Sequence, residues 1–209
     1  MTRLVAIADL HGNLPLDLPA GDVLAIAGDV CPIDDHEPAF QARWLARELY
    51  PWMERLPFWD VLWIAGNHDF VCQLPDWKPE GPGRYLRDSA TRVGGLSFYG
   101  TPWVPNLPSW AFHADDDELA KRCAAIPQVD VLISHGPPLG IGDRLARGGH
   151  AGSIALLARL EQVPPRVCVF GHIHEDPGSW RHGETELANV AHVDIAYRVR
   201  PDAARVFEL

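Results

Sequence analysis

The chain has 209 residues, 47% hydrophobic and 22% charged, a balance that supports one folded domain with a real core and excludes a disordered or fibrous chain. Its formal net charge of -10 repels polyphosphate backbones and argues against nucleic acid as a partner, while a small phosphorylated substrate stays open because a bound dication sets its own local field. No run has the length of a membrane span or the build of a signal peptide, so the sequence predicts a cytoplasmic protein with no membrane partner.

The first apolar run, residues 4–8, has strand length and stops at Asp9-Leu10-His11. A second, 23–27, stops at Gly28-Asp29. Phe40, Trp44, Leu45 and Leu49 recur at helical spacing over 38–50. A third strand run, 61–65, meets Gly66-Asn67-His68-Asp69. Two proline-rich stretches, 75–83 and 102–108, carry turn chemistry and flank the strand run 96–99, so we expect them as insertions around one rim. Asp115, Asp116, Asp117 and Glu118 open a helix over 115–126, where acids suit the positive end of the dipole. The run 129–133 ends at Ser134-His135-Gly136. Ile154, Leu157 and Leu160 mark a helix between Ser153 and Val163, stopped by Pro164-Pro165. The run 167–170 meets Gly171-His172-Ile173-His174, and 187–193 and 204–209 read as closing strands.

These runs are continuous rather than alternating, as in strands covered on both faces. Strands alternating with helices predict an α/β fold, and the lack of any repeat or composition shift predicts a single domain, 1–209. The four cysteines, Cys31, Cys72, Cys123 and Cys168, contain no C-x-x-C pair and read as free thiols.

Five motifs each begin where a strand run ends. Ligands of open α/β sheets gather beyond the carboxyl ends of the strands, so five loops converge on one spot. Carboxylate, imidazole and amide oxygen suit Mn, Fe or Zn, and a carboxylate can bridge two such ions. Five of the ten histidines lie inside the motifs; His36, His113, His150, His182 and His192 lie outside and read as ordinary histidines, with His113 and His192 the ones that could approach the site.

With these motifs in this order, the chain resembles the calcineurin-like metallophosphoesterases. The resemblance implies a four-layer α/β/β/α sandwich with two central sheets and two metal ions. It implies that Asp9, His11, Asp29 and His174 hold one metal and Asp29, Asn67, His135 and His172 the other, with Asp29 bridging and His68 over the substrate. A narrower resemblance, to small metallophosphoesterase-domain-containing proteins, rests on Tyr99-Gly-Thr-Pro-Trp103, on the stretch from Ser134-His135-Gly136 to Gly142-Asp143, and on Phe170-Gly-His-Ile-His-Glu175. It implies a phosphodiesterase for small substrates, cyclic nucleotides among them. A phosphomonoesterase shares every ligand, and a metal-free adaptor would be expected to lack several.

Two departures stand out. Many relatives orient the proton-donating histidine with an Asp three residues after the bridging one; here Pro32 stands there, leaving Asp69, Asp34 or Asp35 as substitutes. Protein phosphatases place a phosphate-clamping Arg next, where this chain has Ile33 and Asp34. Trp77, Trp103 and Trp110 either pack the rim loops or stack a flat leaving group, and Arg144 and Arg147 either meet a phosphate or face solvent. The oligomeric state is not legible.

Overall fold

The computed structural model describes residues 1–209. One five-stranded sheet has the order β11-β1-β2-β3-β4, built from β1 (Arg3–Ile7), β2 (Val23–Ala27), β3 (Asp60–Ile64), β4 (Arg84–Tyr85) and β11 (Arg205–Glu208). A six-stranded sheet has the order β5-β6-β7-β8-β10-β9, built from β5 (Ser89–Val93), β6 (Leu96–Thr101), β7 (Val131–Ser134), β8 (Val167–Phe170), β9 (Gly178–His182) and β10 (Thr185–Asn189). The inner pairings β1–β2, β2–β3, β6–β7, β7–β8 and β8–β10 are parallel, as is the pairing of the edge strand β4 with β3; the other three edge strands, β11, β5 and β9, are antiparallel.

Side-chain alternation along each strand sorts the core into three layers. Leu4, Ala25 and Ile64 of the first sheet meet Phe98, Ile133 and Val169 of the second. Val5, Ile26 and Trp63 turn outward against Leu45, Leu49, Trp52 and Met53. Tyr99, Leu132 and Cys168 turn the other way against Cys123, Leu156 and Leu160. Both sheets are therefore buried on two faces, which gives the expected α/β/β/α sandwich. Helix α1 (Pro38–Trp44) runs through a π-helical turn (Leu45–Leu49) into α2 (Tyr50–Glu54), past the predicted end at residue 50. Helix α4 (Asp116–Ala125) is capped by Asp115, which accepts from the Glu118 N–H, and α5 (Ile154–Gln162) by Ser153, which accepts from the Leu156 N–H.

The strands β4, β5 and β9 carry no continuous apolar run, and α3 (Phe70–Gln73) is a single turn too short for helical periodicity, so the sequence pattern predicts none of them. The two proline-rich stretches do not share one rim. Residues 76–82 border α1 and α2, with Trp77 edge-on to Trp63 and Tyr85, whereas Leu107 and Trp110 reach the motif residues. All four cysteines are buried and free. No helix is long and apolar enough to cross a membrane.

Candidate metal centre

Four short hydrogen bonds tie the strand-end loops together. The Asp9 N–H donates to the Gly28 carbonyl at 2.9 Å and the His11 N–H to the Asp29 carbonyl at 2.9 Å. The His135 N–H donates to the Thr101 carbonyl and the Gly171 N–H to the His135 carbonyl, both at 3.0 Å. Asp9, His11, Asp29 and His172 all adopt left-handed backbone, with φ of 52°, 43°, 52° and 68°. Such conformations cost non-glycine residues free energy and cluster where function demands an exact side-chain direction. Close packing adds to this: a Cβ on Gly171 would collide with the Asp9 carboxylate.

The side chains then converge. His11 Nε2 lies 3.3 Å from His174 Nε2 and 3.6 Å from Asp29 Oδ2. His174 Nε2 lies 3.5 Å from Asp9 Oδ1. On the other side, His135 Nε2 lies 3.4 Å from the same Asp29 Oδ2 and 3.0 Å from Asn67 Oδ1. His172 joins through its backbone N–H, which donates to both Asp9 oxygens, and its ring stands edge-on to His135 at 5.1 Å. The donor triads Asp9–His11–His174, His11–Asp29–His68 and Asp9–Asp29–His135 could each hold a cation.

Donors bound about 2.1 Å from one ion stand about 3.0–3.4 Å apart, close to the spacings seen. Two Nε2 atoms at this distance either share one proton or turn both lone pairs to a cation between them, so the pair fits a metal. The ionisation of the two carboxylates, His11 and His172 fits as well, whereas His135 and His174 are raised by the carboxylates beside them and would give up a proton to a bound metal. Burial raises the Asp29 carboxyl, but His135 and His68 outweigh it and hold it well below the usual range. Burial likewise opposes ionisation of Asp9, and His174 outweighs it. Burial disfavours the charged form of His135, yet Asp29 pushes it up to about 9. Burial brings His11 down to about 4 and His172 to about 3. Ionised carboxylates and neutral imidazoles are the ligand forms of these groups.

Residues 2–176 match the calcineurin-like phosphoesterase family. The chain belongs to that family. It is 32% identical to human (Homo sapiens) metallophosphoesterase domain-containing protein 1 over 228 residues, spanning 94% of this chain and 68% of that one. It is 41% identical to UPF0046 protein T07D4.2 of Caenorhabditis elegans over 230 residues, spanning 90% of this chain but only 55% of that relative. Among solved structures, phosphopantetheinyl hydrolase of Mycobacterium tuberculosis superposes with a TM-score of 0.56 at 17% identity, covering 98% of this chain and 95% of that one. TT1561 of Thermus thermophilus superposes with a TM-score of 0.54 at 14% identity, covering 91% of this chain and 89% of that one. At these identities the superpositions speak for the fold alone.

A cavity of about 300 Å³ opens over the phosphoesterase centre, walled by His68, Leu107, Trp110, Ile195 and Tyr197 above Asp29, Asn67 and His172. Neither Ile195 nor Tyr197 lies in a motif. Asp194 accepts from the N–H groups of Ala196 and Arg198, and this turn puts Tyr197 at φ 57° with its ring 4.9 Å from His11. Only the turn-forming Asp194 hinted at this in the sequence. Of the three tryptophans, only Trp110 reaches the cavity. Trp103 donates to Asp88 at 2.7 Å and lies under the Arg122 guanidinium, which packs loops together. Arg144 borders a neighbouring depression with His174 and Glu175, and Arg147 is exposed.

His36 was expected to be an ordinary histidine and is not. Its Nε2 lies 3.0 Å from His68 Nδ1. None of the three proposed acids takes that place. Asp69 points inward and accepts from the N–H groups of Gly66, Cys31 and Val30, Asp35 accepts from the Glu37 N–H, and Asp34 borders a separate hollow beside His11. Burial and the nearby Asp29 charge push Asp69 up to about 6. His192 is buried, donates its backbone N–H to the Ala8 carbonyl at 2.8 Å and sits behind Asp9 rather than in the cavity; His113 is half-buried in a bridge to Val104.

Proposed function

We propose that this chain hydrolyses small phosphodiesters, such as cyclic nucleotides, at a centre of two Mn, Fe or Zn ions. Asp9, His11, Asp29 and His174 would hold one ion and Asp29, Asn67, His135 and His172 the other. The observation that carries the two-ion reading is Asp29 Oδ2, which faces His11 Nε2 at 3.6 Å and His135 Nε2 at 3.4 Å. When bound, the two ions supply an activated water and neutralise phosphoryl charge. His68 lies in the cavity wall, where its imidazole can hand a proton to the leaving oxygen. Trp110 offers a flat face for a base or other planar leaving group.

The preference for diesters is supported by the cavity lining, whose ten residues include no Lys or Arg. Such a wall adds no cationic side chain to the charge that the ions would neutralise, whereas a diester carries one negative charge and a second organic substituent that Trp110 can meet. The net charge of -10 further favours a small substrate over nucleic acid. Four free buried thiols are in keeping with a reducing compartment such as the cytoplasm.

The test is hydrolysis of bis-p-nitrophenyl phosphate against p-nitrophenyl phosphate by metal-stripped protein, with and without Mn²⁺. Mn²⁺-dependent turnover that favours the diester is expected. A monoester preference would move the function to a phosphomonoesterase. Protein that binds no metal and cleaves neither ester would be an adaptor.

A further inference from the structure

The contact between His36 and His68 reaches further than its length suggests. The His68 main chain is pinned on both sides: its N–H donates to Asp29 Oδ1 at 2.7 Å, and its carbonyl accepts from Gln41 Nε2 at 2.7 Å. The ring lies against Trp110 with centroids 4.4 Å apart. What these contacts leave undetermined is the rotation of the imidazole and the nitrogen that carries its proton. His36 Nε2, 3.0 Å from His68 Nδ1, is the one polar partner of that ring nitrogen. The His36 ring is itself held between Phe70, at 5.4 Å, and Trp110, at 5.3 Å. A lever this constrained fixes what it touches.

We propose that His36 is the positioning residue for His68, accepting the Nδ1–H so that Nε2 faces the substrate. This inference rests on the phosphoesterase reading. It assigns to a second imidazole a task that a carboxylate would otherwise perform. When His68 is charged, Nδ1–H donates to His36 and Nε2–H faces the leaving oxygen. The proton passes from Nε2 to that oxygen as its bond to phosphorus breaks. Neutral His68 is then left as the Nδ1–H form, still donating to His36. A partner that fixes the tautomer of an imidazole governs its chemistry without touching substrate.

The test pairs a kinetic cycle with ring ¹⁵N spectra. In metal-free wild type, long-range ¹H–¹⁵N correlations should show His68 as the Nδ1–H tautomer, and H36A should show a mixture. With Mn²⁺ restored, H36A should lose about 10–100-fold in kcat, with KM and metal content unchanged. H36Q, which keeps an acceptor, should recover part of the loss and also guards against a misfolded alanine variant. In an H68A background, H36A should cost nothing more, because its effect passes through His68. Equal tautomers in wild type and H36A, an unchanged kcat, or losses that multiply in the double variant would each overturn the proposal. If wild type cleaves no ester while the tautomer still depends on His36, the hydrolase reading falls and the positioning contact stands.

Discussion

Gly66 leaves no room for a Cβ beside Asp29: a methyl group there would run into the Asp29 carboxylate and stand 2.6 Å from its backbone nitrogen. The same methyl would press on the His135 ring. The glycine of the third motif therefore sets the position of the carboxylate that faces both halves of the centre. Gly66→Ala should leave a folded protein that binds fewer than two Mn²⁺ per chain, read by elemental analysis after gel filtration. Two retained ions would show that Asp29 tolerates the displacement.

Trp110 and Trp103 separate a substrate role from a packing role. Base stacking is worth about 1–3 kcal/mol per base, so Trp110→Ala should raise KM for nucleotide-like diesters by roughly 5–150-fold, with a smaller effect on alkyl diesters. Trp103→Ala removes a cation–π contact worth about 0.5–2 kcal/mol and an indole hydrogen bond of about 1 kcal/mol. It should lower the melting temperature and leave KM nearly unchanged. Equal KM effects in the two variants would contradict the division.

Asp143 predicts how stability responds to acid. Its carboxylate accepts from the Gly140 and Gly152 N–H groups at 3.0 and 2.9 Å and from His150 Nδ1 at 2.5 Å. Burial raises this carboxyl, but those hydrogen bonds outweigh burial and lower it below the ordinary Asp value. A carboxyl lowered in the folded state contributes stability above its unfolded pKa of about 3.9, and that stability is lost as pH falls through the folded value. Asp143→Ala should cost about 1–3 kcal/mol at pH 7, because two N–H groups lose their acceptor, and much less near pH 2. Urea melts at both pH values check this; a pH-independent loss would remove the ionised carboxylate from the explanation.

Much of this centre was legible because each motif sits immediately after a strand. The chain leaves β1 into Asp9, β2 into Gly28-Asp29 and β8 into Gly171-His172, so local sequence reveals both the element and the end from which its candidate ligands project. Continuous apolar runs announced the inner strands for the same reason, since both faces are buried. Edge strands such as β5 and β9 alternate half-buried and exposed positions and show no such run. His36 and Tyr197 were not legible as site residues, and Trp110 is one of three tryptophans that the sequence leaves open between loop packing and stacking. Their arrival depends on loop paths fixed by distant contacts, such as the Ala111 N–H donating to the Asn67 carbonyl at 3.2 Å. The missing acid at Pro32 pointed to a gap beside His68, but residue type alone favoured a carboxylate to fill it.

The most direct test of the account is the rate of bis-p-nitrophenyl phosphate hydrolysis by metal-stripped protein as Mn²⁺ is added in measured equivalents, with Asp29→Ala alongside. Two ions sharing Asp29 predict negligible turnover in the stripped protein, a rise that saturates after two tightly bound equivalents, and no comparable rise in the variant. Full turnover in stripped protein, saturation at one equivalent, or an equal response from Asp29→Ala would contradict a binuclear centre bridged by Asp29.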